Sequence, residues 1–363
     1  MNRTPVEALR VSHTDESPRS DAMTDVTSRL PWSPAQRRKN DVIYAIARQA
    51  IGLGLSLPRA WLAPAGTWLG LLAHALFRDA RETTLANLAL VHPELDLRDR
   101  ARLARDVYRT LGKNLTDSLA LLDPREDPMR TLSVSAESER VLAAALEERR
   151  GVVYATCHLG PWERMAALLA KRGFPITTIA RESYDPRFHA LVYDRLRAHR
   201  DVHVIYRGAP SAPLSIVRTL RQGRVLGLLA DLPGRVPARP VTWLGKPARI
   251  ASGVARIALR VGSPVVVGTP APAPAKNGLE IRIEAIPTSD LSSDDRGEAE
   301  LSQRIADALS TRVRLLPTHW PWMFPTFAAT ETRIEAAETG VRTEARTNID
   351  ERARTVVWPR VGV

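Results

Sequence analysis

The sequence predicts an α/β fold with a mostly parallel central sheet flanked by helices, preceded by an N-terminal helical region. From about residue 150, short apolar runs alternate with amphipathic stretches, as expected of strands joined by crossover helices. Polar residues end several of these runs, at the edge where an open parallel sheet binds its ligands. From about 41 to 122 the apolar residues instead follow a helical period.

Four regions are predicted along the 363 residues. They are a disordered extension (1–40), a helical membrane-associating region (41–125), an α/β domain (126–330) and a poorly ordered tail (331–363). The first region is polar and lacks the apolar core of a secretion signal. The last region loses apolar periodicity.

The charge balance favours a polyanionic partner. The chain has 52 Lys and Arg against 40 Asp and Glu, a formal net charge of +12. An anionic membrane surface or a phosphorylated substrate suits this excess. No basic block with interleaved aromatics and no zinc-finger spacing occurs, so we do not expect nucleic acid as a partner. The single cysteine, Cys157, excludes an internal disulfide framework and favours a reducing compartment.

Two apolar segments near the N terminus indicate contact with a membrane. The run 60–77 is uncharged for 18 residues, which is close to the ~20 residues of a spanning helix. Pro64, two glycines and His74 interrupt it, and Arg48 interrupts the run before it. We expect residues 42–77 to form an interfacial or buried helical hairpin, with a transmembrane span as the alternative.

Four predicted strands place polar residues at one edge of the sheet. The runs VVYAT, PITTIA, VHVIY and RVLGLLA are followed or ended by His158, Arg181, Arg207 and Asp231, respectively. Because the carboxyl ends of parallel strands share one edge, these residues mark a candidate binding site. A proline-rich loop is expected after Asp231. Further strands are predicted at SPVVVGT and LEIRIEAI, with a helix near 297–315.

The stretch TCHLGPWERM holds His158 and Glu163 five positions apart. On an uninterrupted helix, the two side chains would point about 140° apart. The Gly160-Pro161 break leaves His158 in the loop and places Glu163 in the first turn of the next helix, where a carboxylate is favoured. Oriented by Glu163, His158 becomes a general base for a hydroxyl. The alternative is an incidental loop histidine beside a carboxylate that caps the helix.

Patterns for other catalytic chemistries are absent from the sequence. Cys157 precedes His158, but strand neighbours face opposite sides, so we expect Cys157 to pack inward rather than act as a nucleophile. There is no His and Cys cluster for zinc, no Gly-x-Ser-x-Gly elbow, and no glycine pattern of a nucleotide-binding loop. We therefore predict neither a metal nor a cofactor.

Five ordered blocks between about 45 and 325 resemble the late lipid A acyltransferases of the bacterial inner membrane, the lauroyl and myristoyl transferases. These belong to the lysophospholipid acyltransferase superfamily, whose mark is His-x4-Asp/Glu. The similar stretches are ANLALVHPEL, HLGPWE, IARESYDP, GRVLGLLAD with the later TWLGKPARIASGVARIALRVGSPVVV, and PTHWPWMF. The chain departs from the family pattern at Leu232, Trp243-Leu244 and Met323-Phe324-Pro325.

The resemblance implies a glycerolipid acyltransferase-like fold and transfer of a fatty acyl group without an acyl-enzyme. The expected donor is a thioester of acyl carrier protein or CoA. The expected acceptor is a hydroxyl of a membrane glycolipid such as a lipid A precursor, and we expect the enzyme on the cytoplasmic face of the inner membrane, peripheral or monotopic. Acylation of a phosphatidylinositol mannoside or a lysophospholipid is the alternative, as is a non-catalytic membrane protein of the same fold.

The resemblance also implies roles for the residues at the sheet edge. His158 and Glu163 are the expected catalytic dyad. Arg181, Arg207 and Lys246 are candidates to clamp substrate phosphates, with Asp231 organising these cations. Either Arg181 or the backbone N–H groups of the Gly160-Pro161 turn are expected to bind the oxyanion.

Overall fold

The computed structural model describes residues 32–327, apart from 182, 199, 233–235 and 274–277. The predicted tail at 331–363 and residues 1–31 of the predicted extension lie outside these residues.

Four helices precede the sheet. They are α1 (Pro34–Ser56), α2 (Arg59–Leu76), α3 (Arg78–Val91) and α4 (Leu97–Ala120). Helix α1 begins inside the segment that was predicted to be disordered, because Ser33 and Gln36 form a capping box ahead of it. The Ser33 hydroxyl accepts the N–H of Gln36, and the Gln36 side chain accepts the N–H of Ser33.

Helices α2 and α4 cross in direct backbone contact. A Cβ atom added to Gly70 would lie 1.9 Å from the backbone oxygen of Tyr108, and one added to Gly66 would lie 2.5 Å from that of Gly112. The hydroxyl of Thr116 also donates to the backbone oxygen of Leu62 at 2.9 Å. This contact fixes α2 on the body of the protein. In the described residues no single helix qualifies as a membrane span, but α2 and α3, bent by 93°, qualify together.

A seven-stranded mixed sheet, mostly parallel and flanked by helices, confirms the predicted fold class. Its strand order is β1-β9-β8-β2-β5-β3-β4, and only the β8–β9 pairing is antiparallel. Its strands are β1 (Leu132–Val134), β2 (Val152–Thr156), β3 (Ile176–Arg181), β4 (His203–Arg207), β5 (Val225–Leu229), β8 (Val265–Pro272) and β9 (Leu279–Ile286).

Helices cover both faces of this sheet. They are α5 (Ala136–Glu147), α6 (Trp162–Lys171), α7 (Ala212–Arg221), α8 (Gly253–Val261) and α9 (Asp295–Leu315). The connection after β3 is also helical, in three pieces (Pro186–Phe188, His189–Asp194 and Arg195–Ala198), of which the middle one is a π-helix.

The sequence predicted only a loop after Asp231, and this prediction was wrong. The segment contains a two-stranded antiparallel hairpin, formed by β6 (Ala238–Trp243) and β7 (Lys246–Ala251). Its turn residues, Leu244 and Gly245, have φ angles of 51° and 81°. Two consecutive positive φ angles are typical of a type I′ turn, which usually shows as Asn-Gly or Asp-Gly. The hairpin was not recognised in the sequence because leucine occupies the first turn position and each strand contains a proline.

Alternation along β2 divides the core between the two faces of the sheet. Val153, Ala155 and Cys157 belong to the cluster that packs against the hairpin, α8 and α9. Val152 and Tyr154 belong to the cluster that packs against α5 and α6. Cys157 is fully buried, which confirms that it packs inward.

Candidate active site

His158 and Asp231 meet beyond the carboxyl ends of the neighbouring strands β2 and β5. The Nδ1 atom of His158 lies 2.8 Å from Oδ1 of Asp231, and the backbone N–H of His158 donates to Oδ2 at 2.9 Å. His158 is 3% exposed and Asp231 is fully buried. The N–H of Ala230 donates to the backbone oxygen of Thr156 at 2.9 Å, and this hydrogen bond fixes the ends of β2 and β5 side by side.

Trp320 completes the surroundings of the Asp231 carboxylate. Its indole N–H donates to Oδ2 at 2.8 Å, and its ring packs against Trp322 and Trp243 at centroid distances of 4.9 and 5.9 Å. Burial by itself raises the pKa of Asp231, but the charge of His158 and the converging hydrogen bonds together hold this pKa below its ordinary value. Asp231 is therefore an ionised, acceptor-only group.

This carboxylate determines which nitrogen of His158 carries the proton. Because Asp231 can only accept, Nδ1 of a neutral imidazole must be the donor, which leaves a lone pair on Nε2. The Nε2 atom is buried and has no hydrogen-bond partner among the described residues. The ring rests edge-on against Trp162 at a centroid distance of 5.1 Å. His158 is thus oriented and basic at the atom that faces away from Asp231.

The carboxylate that bonds Nδ1 of the imidazole is Asp231, which was not predicted for that role, and a catalytic role for Glu163 stays a prediction. Glu163 lies in the first turn of α6 and is partly buried. Asp231 lies beside His158 because β5 pairs directly with β2. Asp231 was expected to organise the cations of the site. Its hydrogen-bond partners are instead His158 and Trp320.

A buried arginine fixes the helix that carries Glu163. Arg164 is fully buried, and its guanidinium lies 2.5 Å from Oδ2 of Asp117 and 2.9 Å from Oε1 of Glu126. It also donates to the backbone oxygen of Asp127 at 2.8 Å. These contacts tie α6 to the end of α4 and the loop that follows, so the position of Glu163 depends on them.

Arg181 and Arg207 lie at the same edge of the sheet as His158. They end β3 and β4 and stand opposite each other in register. At about 4.8 Å per strand, β3 and β4 lie roughly 10 and 14 Å from β2. Burial and the neighbouring charge of Arg181 hold the pKa of Arg207 below its ordinary value. Two neighbouring arginines at this edge are suited to bind an anionic group of a substrate.

Lys246 lies on the two-stranded hairpin, outside the seven-stranded sheet. It begins β7 at the turn of the hairpin, opposite Trp243. The other end of β7 is attached near the site, since the N–H of Ala251 donates to the backbone oxygen of Ala230 at 3.0 Å. Five residues of strand, about 17 Å, separate Lys246 from that end.

The backbone donors of the Gly160-Pro161 turn are already engaged. The N–H of Gly160 donates to the backbone oxygen of His319 at 3.0 Å, and the N–H of Trp162 donates to that of Gly160 at 3.1 Å. Proline has no N–H to offer. Of the oxyanion donors that the sequence suggested, Arg181 is therefore the one whose side-chain N–H groups have no hydrogen-bond partner among the residues that the structure describes.

His319 is a second histidine beside the site, and sequence reasoning did not single it out. Its Nδ1 lies 3.6 Å from the position of a Cβ on Gly160 and is buried without a hydrogen-bond partner among the described residues. Burial, with the charge of Lys113, lowers the pKa of His319 to about 4. This histidine is neutral at physiological pH. Its only signal in the sequence is its position beside Trp320.

A small apolar cavity of about 70 Å³ adjoins the site. Thr156, Trp162 and Glu163 line its end near His158. The rest is formed by side chains of α6 and of strands β2, β3 and β5, and Gly227 leaves space over the middle of β5. Glu163 is the charged residue of an otherwise largely aliphatic lining.

The part of the chain that the structure describes has neither a metal-binding cluster nor a reactive thiol. It contains no cluster of three or more His, Cys, Asp or Glu side chains placed to hold a metal ion. Burial, together with the charge of Asp231, raises the pKa of Cys157 well above its ordinary value. A thiol held in the neutral form is a poor nucleophile and a poor metal ligand.

Comparison with known proteins identifies a family and two distant relatives. A family model described as bacterial lipid A biosynthesis acyltransferase matches residues 37–328. Phosphatidylinositol mannoside acyltransferases from two Mycobacterium tuberculosis strains, CDC 1551 / Oshkosh and ATCC 25618 / H37Rv, are each 26% identical over 196 residues. Each match covers 52% of this chain and 58% of the relative, so the chain spans little more than half the length of these relatives.

Proposed function

The chain belongs to the bacterial lipid A biosynthesis acyltransferase family, and from this membership we propose that it is an O-acyltransferase acting on a glycolipid. It transfers a fatty acyl group from an acyl thioester to a hydroxyl group. The observation that carries this proposal is the buried His158, held at Nδ1 by Asp231 and unpartnered at Nε2. That arrangement suits a general base for a hydroxyl nucleophile.

The reaction proceeds by direct attack. Nε2 of His158 takes the proton of the acceptor hydroxyl as its oxygen attacks the thioester carbonyl. The tetrahedral intermediate then collapses with cleavage of the carbon–sulfur bond, and the imidazolium returns the proton to the thiolate. The products are an ester and a free thiol. Asp231 stabilises the imidazolium between these steps.

Other residues at the edge support binding and charge stabilisation. Arg181 binds the oxyanion or a phosphate group, and Arg207 binds a phosphate group. Glu163 adds negative charge near the imidazolium from the first turn of α6. The first methylene groups of the acyl chain enter the cavity beside Glu163, where burial favours each by about 0.8 kcal/mol. Lys246 contacts only a large acceptor that extends along the hairpin.

A lipid A precursor is the acceptor that family membership favours, with acyl carrier protein or acyl-CoA as donor. The two mycobacterial relatives favour a phosphatidylinositol mannoside as the second candidate. The purified full chain is incubated with each donor and each acceptor, and acylated glycolipid is measured by mass spectrometry. We expect ester formation on a lipid A precursor. Acylation of the mannoside alone supports the second candidate, and no product with any pair contradicts the proposal.

We propose that the enzyme lies on the cytoplasmic face of the inner membrane as a peripheral or monotopic protein. In support, α1 buries none of its residues, and Trp61 and Trp68 of α2 are 63% and 73% exposed. Basic residues add attraction to anionic lipid that salt screens, whereas apolar insertion is not screened. High salt is therefore expected to release only part of the protein from washed membranes. Complete release by salt alone would contradict apolar insertion.

A further inference from the structure

A second, larger recess lies between α1, α2 and the end of α4. We call it the hairpin groove. It has a volume of about 550 Å³ and is lined by residues such as Leu55 of α1, Trp68 and Leu72 of α2, and Leu119 of α4. It shares no lining residue with the cavity beside Glu163. The groove is therefore a separate feature from the proposed active site.

The chemistry of the hairpin groove suits hydrocarbon. Apart from Thr116 and the indole of Trp68, its lining is aliphatic or glycine. The hydroxyl of Thr116 is already used, since it donates to the backbone oxygen of Leu62 at 2.9 Å. A ligand in this groove finds no free hydroxyl, amide or charge to bind. The volume falls within the roughly 300–1,000 Å³ of small-molecule sites.

The groove opens onto an exposed apolar surface. Leu53, Trp68 and Leu72 line it and are nevertheless 67%, 73% and 54% exposed. Soluble monomers rarely leave a continuous apolar patch of this kind uncovered. The groove is thus continuous with the exposed apolar surface of α1 and α2 that would contact the hydrocarbon of a bilayer.

Charge on α1 indicates which lipid fits. The helix carries Arg37, Arg38, Lys39 and Arg48 against Asp41. The carboxylate of Asp41 is paired with Arg187 at 2.6 Å. Arg48 lies two residues before Ala50, the first groove residue along α1. The walls of the groove therefore continue into a basic surface that complements an anionic headgroup.

We propose that the hairpin groove binds one fatty acyl chain of an anionic bilayer phospholipid, whose headgroup lies against the basic residues of α1. The acyl chain fills the space that α1 and α2 leave open and covers apolar side chains that are otherwise exposed, such as Leu53 and Trp68. This site is separate from acyl transfer, because it requires neither His158 nor a thioester.

Two glycines of α1 provide a matched test. Gly54 lines the groove and Gly52 does not. A Cβ added to either meets nothing within 4 Å, so a side chain can extend from both positions, and leucine favours a helix more than glycine does. Gly54→Leu fills the groove, whereas Gly52→Leu adds the same side chain to the outside of the same helix.

The full chain is bound to phosphatidylcholine vesicles that contain a phosphatidylglycerol probe with a photoreactive diazirine near the end of one acyl chain. Labelled residues are mapped by peptide mass spectrometry. We expect groove residues of α1, α2 and α4 to be labelled in the unsubstituted protein and in Gly52→Leu, with loss of this labelling in Gly54→Leu. A phosphatidylcholine probe of equal chain length should label them more weakly.

Equal labelling in the two variants would overturn the proposal, as would labelling confined to outer residues such as Trp61. Cross-links that place a second copy, or residues 328–363, in the groove would overturn it as well. Equal labelling by the two probes would refute the anionic headgroup. Because the readout is phospholipid labelling, an enzyme that lacks acyl transfer but labels as expected refutes only the proposed function.

Discussion

Replacing Asp231 by asparagine removes one acceptor from a site where three donors converge. Nδ1 of His158 points at Oδ1, while the backbone N–H of His158 and the indole N–H of Trp320 both point at Oδ2. Asparagine has one oxygen and an NH₂ group that only donates. Its oxygen must therefore face either the ring or the other two donors.

The structure decides between these two orientations. If the oxygen faces Nδ1, two buried donors oppose the NH₂ group, at a cost of about 1–3 kcal/mol each. If the oxygen instead accepts those two donors, the NH₂ group donates to Nδ1, and all three contacts with residue 231 are kept. The second orientation is favoured, and it places the ring proton on Nε2. Asp231→Asn therefore converts His158 into the tautomer that cannot act as a base.

Asp231→Asn is expected to lower kcat by about 10²–10⁴-fold, the usual contribution of a general base. The unfolding free energy should fall only by about 1–3 kcal/mol, because charge-assisted hydrogen bonds become neutral ones. Release of thiol from the acyl donor provides a continuous assay, and the buried Cys157 adds little background. Trp320→Phe, which keeps the carboxylate, should retain most of the activity. A folded Asp231→Asn enzyme with the wild-type rate and pH profile would refute the reasoning.

Three further predictions concern residues around the site. Glu163→Gln should slow transfer less than Asp231→Asn, because Asp231 bonds the ring; a larger loss in the same assay would contradict this. Arg164→Met should lower the unfolding free energy by about 3–5 kcal/mol, since two carboxylates lose their buried partner; an unchanged denaturation midpoint would be inconsistent with that role. His319, with its pKa lowered to about 4, binds a proton more readily in the unfolded chain, so stability should fall by up to about 3 kcal/mol as the pH drops from 6.5 to 4. His319→Asn should remove that pH dependence in thermal unfolding. If the variant keeps the same pH dependence, a group other than His319 causes it.

Several strands were predictable from their apolar patterns, because the buried parallel strand β2 appears as a continuous apolar run and β9 alternates apolar residues with charged ones. The runs at VVYAT and LEIRIEAI match β2 and β9 residue for residue. The same register places His158 at the carboxyl edge without further information. The hairpin after Asp231 was not predictable, because its turn contains Leu244 where asparagine or aspartate is the usual signal.

The partner of His158 was not predictable from local spacing. Asp231 is 73 residues away in the sequence, and Trp320 is a further 89 residues from Asp231. Their contact depends on β5 lying beside β2, and alternating strands and helices do not specify that order. Spacing alone favoured Glu163, the nearest carboxylate on the C-terminal side, even though the break at Gly160-Pro161 directs it into α6.

The measurement that tests the central claim most directly is acyl transfer by His158→Ala, compared with Cys157→Ala. Both substitutions truncate buried neighbours at the end of β2, but Cys157 packs toward the opposite face of the sheet. With acyl thioester and glycolipid supplied, His158→Ala should lose about 10²–10⁴-fold in rate, while Cys157→Ala keeps the wild-type rate and both variants remain folded. Wild-type transfer by a folded His158→Ala protein would contradict the assignment of His158 as the base.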